Sequence, residues 1–156
     1  MIGNFVWPPR SRRRFLAAVA GLAAAPLLPL RGSSLAAAQD KLVEARLVAA
    51  PASAQLVPEK YPSTQVWAYN ESVPGPVLRV RQGERLRVTV QNQLAEGTTV
   101  HWHGVRVPNA MDGVPVITQP SIEPGGRFIY EFAPPAAGTF FYHPHQRGFE
   151  QMGRGL

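Results

Sequence analysis

Cysteine is missing altogether. Without a thiol the chain forms no disulfide and offers no thiolate to a metal, which excludes a cysteine-ligated blue-copper site or a zinc–thiolate site within these residues. Export is not excluded, because many exported domains have no cysteine. Acidic residues are missing from the first 38 positions, which hold Arg10, Arg12, Arg13, Arg14 and Arg31. The formal net charge of +6 is therefore concentrated at one end: from Gln39 onward 11 Lys plus Arg stand against 10 Asp plus Glu, a net of +1. A near-neutral body removes the electrostatic case for nucleic acid as a partner. A long apolar run is also absent. The stretch Ala17 to Leu30 is shorter than the ~20 residues that span a bilayer and contains Pro26 and Pro29, so no stable membrane span is expected.

What the first 38 residues do contain is an address. Ser11-Arg12-Arg13-Arg14-Phe15-Leu16 precedes the apolar stretch, and Ser34-Leu35-Ala36-Ala37-Ala38 follows as a small-residue cleavage site. A paired arginine in that setting reads as a twin-arginine export signal, which a receptor recognises and which is not an anchor. The expectation is a signal peptide over 1–38, a single domain over 39–156, and a location in the periplasm or outside the cell.

The body of the chain alternates. Leu42 to Ala49 reads as a first strand and Pro51 to Pro62 as a connector in which proline disfavours helix. Thr64 to Asn70 is rich in β-formers. Val77 to Arg81 and Leu86 to Asn92 read as a strand pair, with Leu86, Val88 and Val90 on one face and Arg85, Arg87, Thr89 and Gln91 on the other. Thr98 to His103, Arg127 to Phe132 and Thr139 to His143 complete the set. The long loop 105–123 is of a length that usually serves a site, and no stretch shows a long amphipathic helix. Short strands between Gly and Pro turns predict an all-β, Greek-key β-sandwich. A β-domain is expected to continue past Leu156, so the domain reads as incomplete at its C-terminal end.

Histidine is scarce and concentrated. The four histidines form two His-x-His pairs, His101-Trp102-His103 and His143-Pro144-His145. In an extended segment residues i and i+2 share a face, so each pair presents two imidazoles together, and neighbouring strands lie ~4.5–5.5 Å apart. Imidazole suits copper, zinc, iron and nickel. Zinc is a competitor for an all-nitrogen site; no His-Glu-x-x-His segment of a zinc hydrolase is present, but a three-histidine zinc site needs none. The plain alternative is four ordinary surface or hydrogen-bonded histidines.

His101-Trp102-His103-Gly104, Val105 to Pro115 with its Met111-Asp112-Gly113, Thr118 to Ile122, Pro124-Gly125, Tyr130-Glu131-Phe132, Ala137 to Phe140 and Tyr142-His143-Pro144-His145 together resemble the N-terminal cupredoxin domain of bacterial multicopper oxidases of the laccase-like group, from about Leu42 onward. The resemblance implies a cupredoxin-type sandwich and half of a trinuclear copper cluster. By it, His101 ligates the type 2 copper, His103 and His143 one type 3 copper, and His145 the other. Asp112 matches the acidic residue that assists proton delivery to dioxygen; its other reading is an Asp-Gly turn whose carboxylate accepts backbone hydrogen bonds. The second motif commonly reads Trp-Tyr-His-Ser-His in the family, and here Pro144 takes the serine position. Proline fits a strand end and leaves both imidazoles in place.

The implied chemistry is divided between domains. A type 1 copper with a cysteine ligand takes electrons from a small reducing substrate, a phenol, an amine or a metal ion, and the cluster reduces dioxygen to water. The cluster needs eight histidines and this chain carries four. The rest is expected from the remaining cupredoxin domains or a neighbouring subunit, so the chain alone is expected to be inactive. The alternative is a non-catalytic cupredoxin-like periplasmic module acting in copper binding or protein interaction. A His-Cys-His segment in the downstream coding sequence separates the two.

Overall fold

The computed structural model describes residues 41–156. The expected export signal over 1–38 lies outside the described residues. Six strands carry the fold: β1 Leu42–Ala54, β2 Thr64–Tyr69, β3 Arg85–Asn92, β4 His101–His103, β5 Arg127–Phe132 and β6 Phe141–His143. A four-residue helix, α1 Gly148–Gln151, and a 3-10 turn at Asn109–Met111 are the helical pieces among the described residues. No described helix is long and apolar enough to cross a membrane.

The strands form a four-stranded mixed sheet in the order β2-β1-β3-β5 and a two-stranded antiparallel sheet, β4-β6. This mostly β architecture is that of a cupredoxin-type β-sandwich. Alternation explains how the sheets pack. Leu86, Val88 and Val90 of β3 are buried, as are Tyr130 and Phe132 of β5, and they meet Leu47, Ala49, Val100, Trp102 and Ile122 in one core. The other face of β3 and β5 is polar apart from the exposed Ile129, with Arg87 bonded to Glu131 at 2.7 Å across the ladder and to Glu44 of β1 at 3.2 Å.

β1 runs on to Ala54, taking in the first four residues of the stretch expected to be a connector, while 55–62 forms no strand. Its first part pairs parallel with β3 up to Ala49, and from Ala49 it pairs antiparallel with β2. Pro51 fits because it faces Trp67, whose amide donates away from β1 to the Arg154 carbonyl at 2.9 Å. That makes a non-hydrogen-bonded pair, in which the missing proline N–H costs the β1–β2 ladder nothing. The Val77–Arg81 stretch has no ladder partner among the described residues, although Leu78 and Val80 pack against the core as the alternation requires. The expected strands at Thr98–His103 and Thr139–His143 are regular only over His101–His103 and Phe141–His143. On the first, the Val100 amide is taken by the Tyr130 hydroxyl at 2.9 Å instead of by a strand.

Candidate metal centre

The short sheet β4-β6 holds the site. Its register sets His101 opposite His143, Trp102 opposite Tyr142 and His103 opposite Phe141. The residues at i+1 point inward. Trp102 is buried and packs edge-on against Tyr130 and Phe132, with ring centroids 5.4 and 5.1 Å away, and it lies 5.9 Å from Tyr142. Because side chains alternate, the same anchoring turns His101, His103 and His143 together toward the opposite face. Pro144 is fully buried, which leaves His145 facing outward like His143.

Donor nitrogens of His101, His103 and His143 all lie within 4.8 Å of one another. His103 Nδ1 stands 3.3 Å from His143 Nε2. Two nitrogens bound to a common ion at ~2.0–2.1 Å with a tetrahedral angle are separated by roughly that distance. The His145 ring lies 5.3 Å from His101 and 6.0 Å from His143, as near as the triad's rings are to one another, but His145 is not part of the group whose nitrogens all lie within 4.8 Å. All four sequence-identified histidines therefore share one face and one end of the fold.

Tautomers follow from the partners. His101 Nδ1 lies 2.7 Å from the backbone carbonyl oxygen of Asp112, and a carbonyl only accepts, so Nδ1 carries the proton and Nε2 keeps its lone pair. The Asp112 carboxylate stands 3.3 Å from the same nitrogen. It faces the histidine and accepts no backbone hydrogen bond among the described residues. His143 Nδ1 is likewise held by the Pro144 carbonyl at 3.0 Å, leaving Nε2 toward His103. Partial burial holds the His143 imidazole below its ordinary range, against the pull of the Pro144 carbonyl, and the neighbouring imidazoles add to the lowering. A neutral imidazole is the form that binds a metal. An outer hydrogen bond that fixes the ring and frees one nitrogen is the usual support of a metal-ligating histidine, so the donor set fits a nitrogen-binding metal such as copper.

Sequence reasoning missed the two carbonyls that set these tautomers. No side-chain pattern marks a carbonyl; only the Asp112-Gly113 turn gave a hint. Gly113 is buried at φ +76 against the Val100 carbonyl, so no side chain larger than hydrogen lets the turn come this close to β4.

Residues 52–156 match the family model described as multicopper oxidase. The chain is 36% identical over 148 residues to the multicopper oxidase MmcO of Mycobacterium tuberculosis, covering 86% of this chain and 29% of that protein. It is 43% identical over 86 residues to copper resistance protein A of Pseudomonas syringae pv. tomato, covering 55% of this chain and 14% of that one. Among solved structures it superposes on a multi-copper oxidase from Pseudomonas thermotolerans with a TM-score of 0.70 and 47% identity, covering 74% of this chain and 28% of the other. Lac15 from a marine microbial metagenome gives 0.69 and 53%, over 73% and 31%. The chain thus spans less than a third of the length of each of these relatives.

Proposed function

Since the chain belongs to the multicopper oxidase family, as an N-terminal cupredoxin-like domain that is short relative to the full enzymes, we propose that it supplies one half of a trinuclear copper site in a laccase-like oxidase. The observation that carries the reading is the convergence of His101, His103 and His143 within 4.8 Å on a family-matched sheet edge. In this reading His101 holds the type 2 copper through Nε2, His103 and His143 share a type 3 copper, and His145 holds the other. The remaining ligands come from further cupredoxin domains or a neighbouring subunit. Bound copper supplies the electron transfer by which a phenol, an amine or a metal ion reduces dioxygen to water.

The chain's own residues do narrower work. The Asp112 and Pro144 carbonyls orient His101 and His143, Trp102 holds β4 flat against the core, and the Asp112 carboxylate beside His101 is placed to pass protons toward the site. With no cysteine in the chain, electron entry belongs elsewhere in the oxidase, and the chain alone is inactive. The paired arginines and cleavage segment before Gln39 support export by the twin-arginine route to the periplasm or beyond. Retention of all four histidines favours the oxidase half-site over a non-catalytic module.

Titration of the full chain with copper tests this. Binding is expected to fall at least ~10-fold in a His101→Ala plus His143→Ala variant, with no thiolate-to-copper visible band and no oxygen uptake in either protein. Equal affinity in the variant would move the site elsewhere, and an intense blue band would defeat the reading. Expression of the complete reading frame, with metal analysis and oxygen-uptake assays, tests the oxidase itself.

A further inference from the structure

His145 stands one step beyond the ladder that aligns the other ligands. The β4–β6 pairing ends at His143, the ring of Pro144 turns into the interior, and the His145 side chain is exposed. What ties this residue down comes from the opposite direction in sequence. Thr98 and Thr99, just ahead of β4, are both fully buried although both are polar. Thr99 Oγ1 accepts a hydrogen bond from the His145 backbone N–H at 3.3 Å.

A second bond set braces the first. Gln151 of α1 is fully buried, and a buried amide is tolerated only when its donors and acceptor are satisfied. Its Oε1 accepts from the Thr98 hydroxyl at 2.8 Å, and its Nε2 donates to Glu96 Oε1 at 2.8 Å and to the Gly97 carbonyl at 2.9 Å. Arg147 closes the set with an ion pair to the other Glu96 oxygen. The segment 145–151 is thereby tied to residues 96–99 at several points, none of them part of a strand ladder. Thr99 is two residues from His101, so one short segment fixes His101 through β4 and His145 through a side-chain oxygen.

We propose that Thr99, braced by the Gln151 clamp, is a positioning residue for His145, setting its imidazole beside His101. This inference rests on the reading of His145 as a copper ligand. Thr99 touches no metal and acts only through the backbone of His145.

The test is a double-mutant cycle on the full chain, read as Cu(II) affinity against a competing chelator. His145→Ala is expected to weaken Cu(II) binding ~10-fold in the unaltered chain and less than about twofold in a Thr99→Val background, as when an outer partner is needed for a ligand to count. Thr99→Ser, which keeps the hydroxyl, is expected to restore the full cost. His101→Ala should cost the same in all three backgrounds. If His145→Ala costs equally with and without the Thr99 hydroxyl, the inference falls and the ligand reading stands. If it costs nothing even in the unaltered chain, both fall. Proton NMR of the copper-free chain gives an independent readout: the His145 ring signal alone should shift in Thr99→Val, whereas movement of all four histidine signals would mark a general structural effect and overturn the positioning role.

Discussion

His101 Nδ1 lies 2.7 Å from the backbone carbonyl oxygen of Asp112 and 3.3 Å from that residue's own carboxylate. The backbone contact is the shorter of the two, and it survives any substitution that leaves the turn intact. Asp112→Ala is therefore expected to reduce copper affinity less than about threefold, compared with the ~10- to 100-fold typical when a ligand's orienting partner is lost. A proton-delivery role makes the opposite demand on activity. In the complete oxidase Asp112→Asn should slow dioxygen reduction and shift its pH profile while metal content stays full. A large loss of copper in either variant would show that the carboxylate orients the ring and would leave the proton role without support.

The i, i+2 spacing of the histidines made their shared face legible before any coordinates, and so did the alternating burial of Leu86, Val88 and Val90. These follow from side-chain geometry within one segment. Pairing is a property of two segments, and here the sequence was a weaker guide. Val77–Arg81 alternates as a strand does, yet no neighbouring strand pairs with it among the described residues. Pro51 opened the stretch read as a connector, yet it sits in β1 at the one kind of ladder position that needs no N–H. The polar supports of the site were hidden for a related reason: Thr99 and Gln151 are ordinary surface residue types until the fold buries them.

Two glycines with the same φ separate strain from collision. Gly113 and Gly125 both have φ +76, but a Cβ at Gly113 would overlap the Val100 carbonyl oxygen while one at Gly125 meets nothing within 4 Å. Gly125→Ala should cost only the left-handed penalty, about 1–2 kcal/mol. Gly113→Ala should cost more than ~4 kcal/mol, in the range of the most disruptive single substitutions, and should weaken copper binding by pushing the Asp112 turn off β4. Denaturant unfolding of the two variants checks this, and equal costs would refute the close approach.

Trp102 anchors the ligand strand from beneath, with its indole Nε1 buried and lacking a hydrogen-bond partner among the described residues. Trp102→Ala removes the ring and should cost ~3–5 kcal/mol, and copper affinity should fall with it because His101 and His103 lose their common support. Trp102→Phe keeps most of the packing and deletes an unsatisfied donor, so its cost should stay below ~2 kcal/mol, since removing an unpaired polar group returns part of its desolvation penalty. A Phe variant as damaged as the Ala variant would mean that Nε1 makes a bond the packing arrangement does not include.

Tyr130 ties β5 to the residue just ahead of β4, since its hydroxyl accepts the Val100 N–H at 2.9 Å. Burial pushes its phenol up from the ordinary 10.0 to about 12, outweighing the lowering effect of that hydrogen bond. Tyr69, fully enclosed, is raised further in the same direction, chiefly by burial. For a group raised on folding, the stabilisation is whole below the unfolded value and is lost as pH climbs through the folded one. Between pH 10 and about 12 the unfolded chain releases the Tyr130 proton and the folded chain keeps it, so stability should decline by about 1.4 kcal/mol per pH unit from this group alone. Tyr130→Phe removes that contribution and leaves the Val100 amide without its acceptor. The variant should be ~1–3 kcal/mol less stable at neutral pH but should lose stability less steeply above pH 10. Urea unfolding across this alkaline range distinguishes the cases: identical pH slopes for the two proteins would show that the Tyr130 phenol does not stay protonated in the fold.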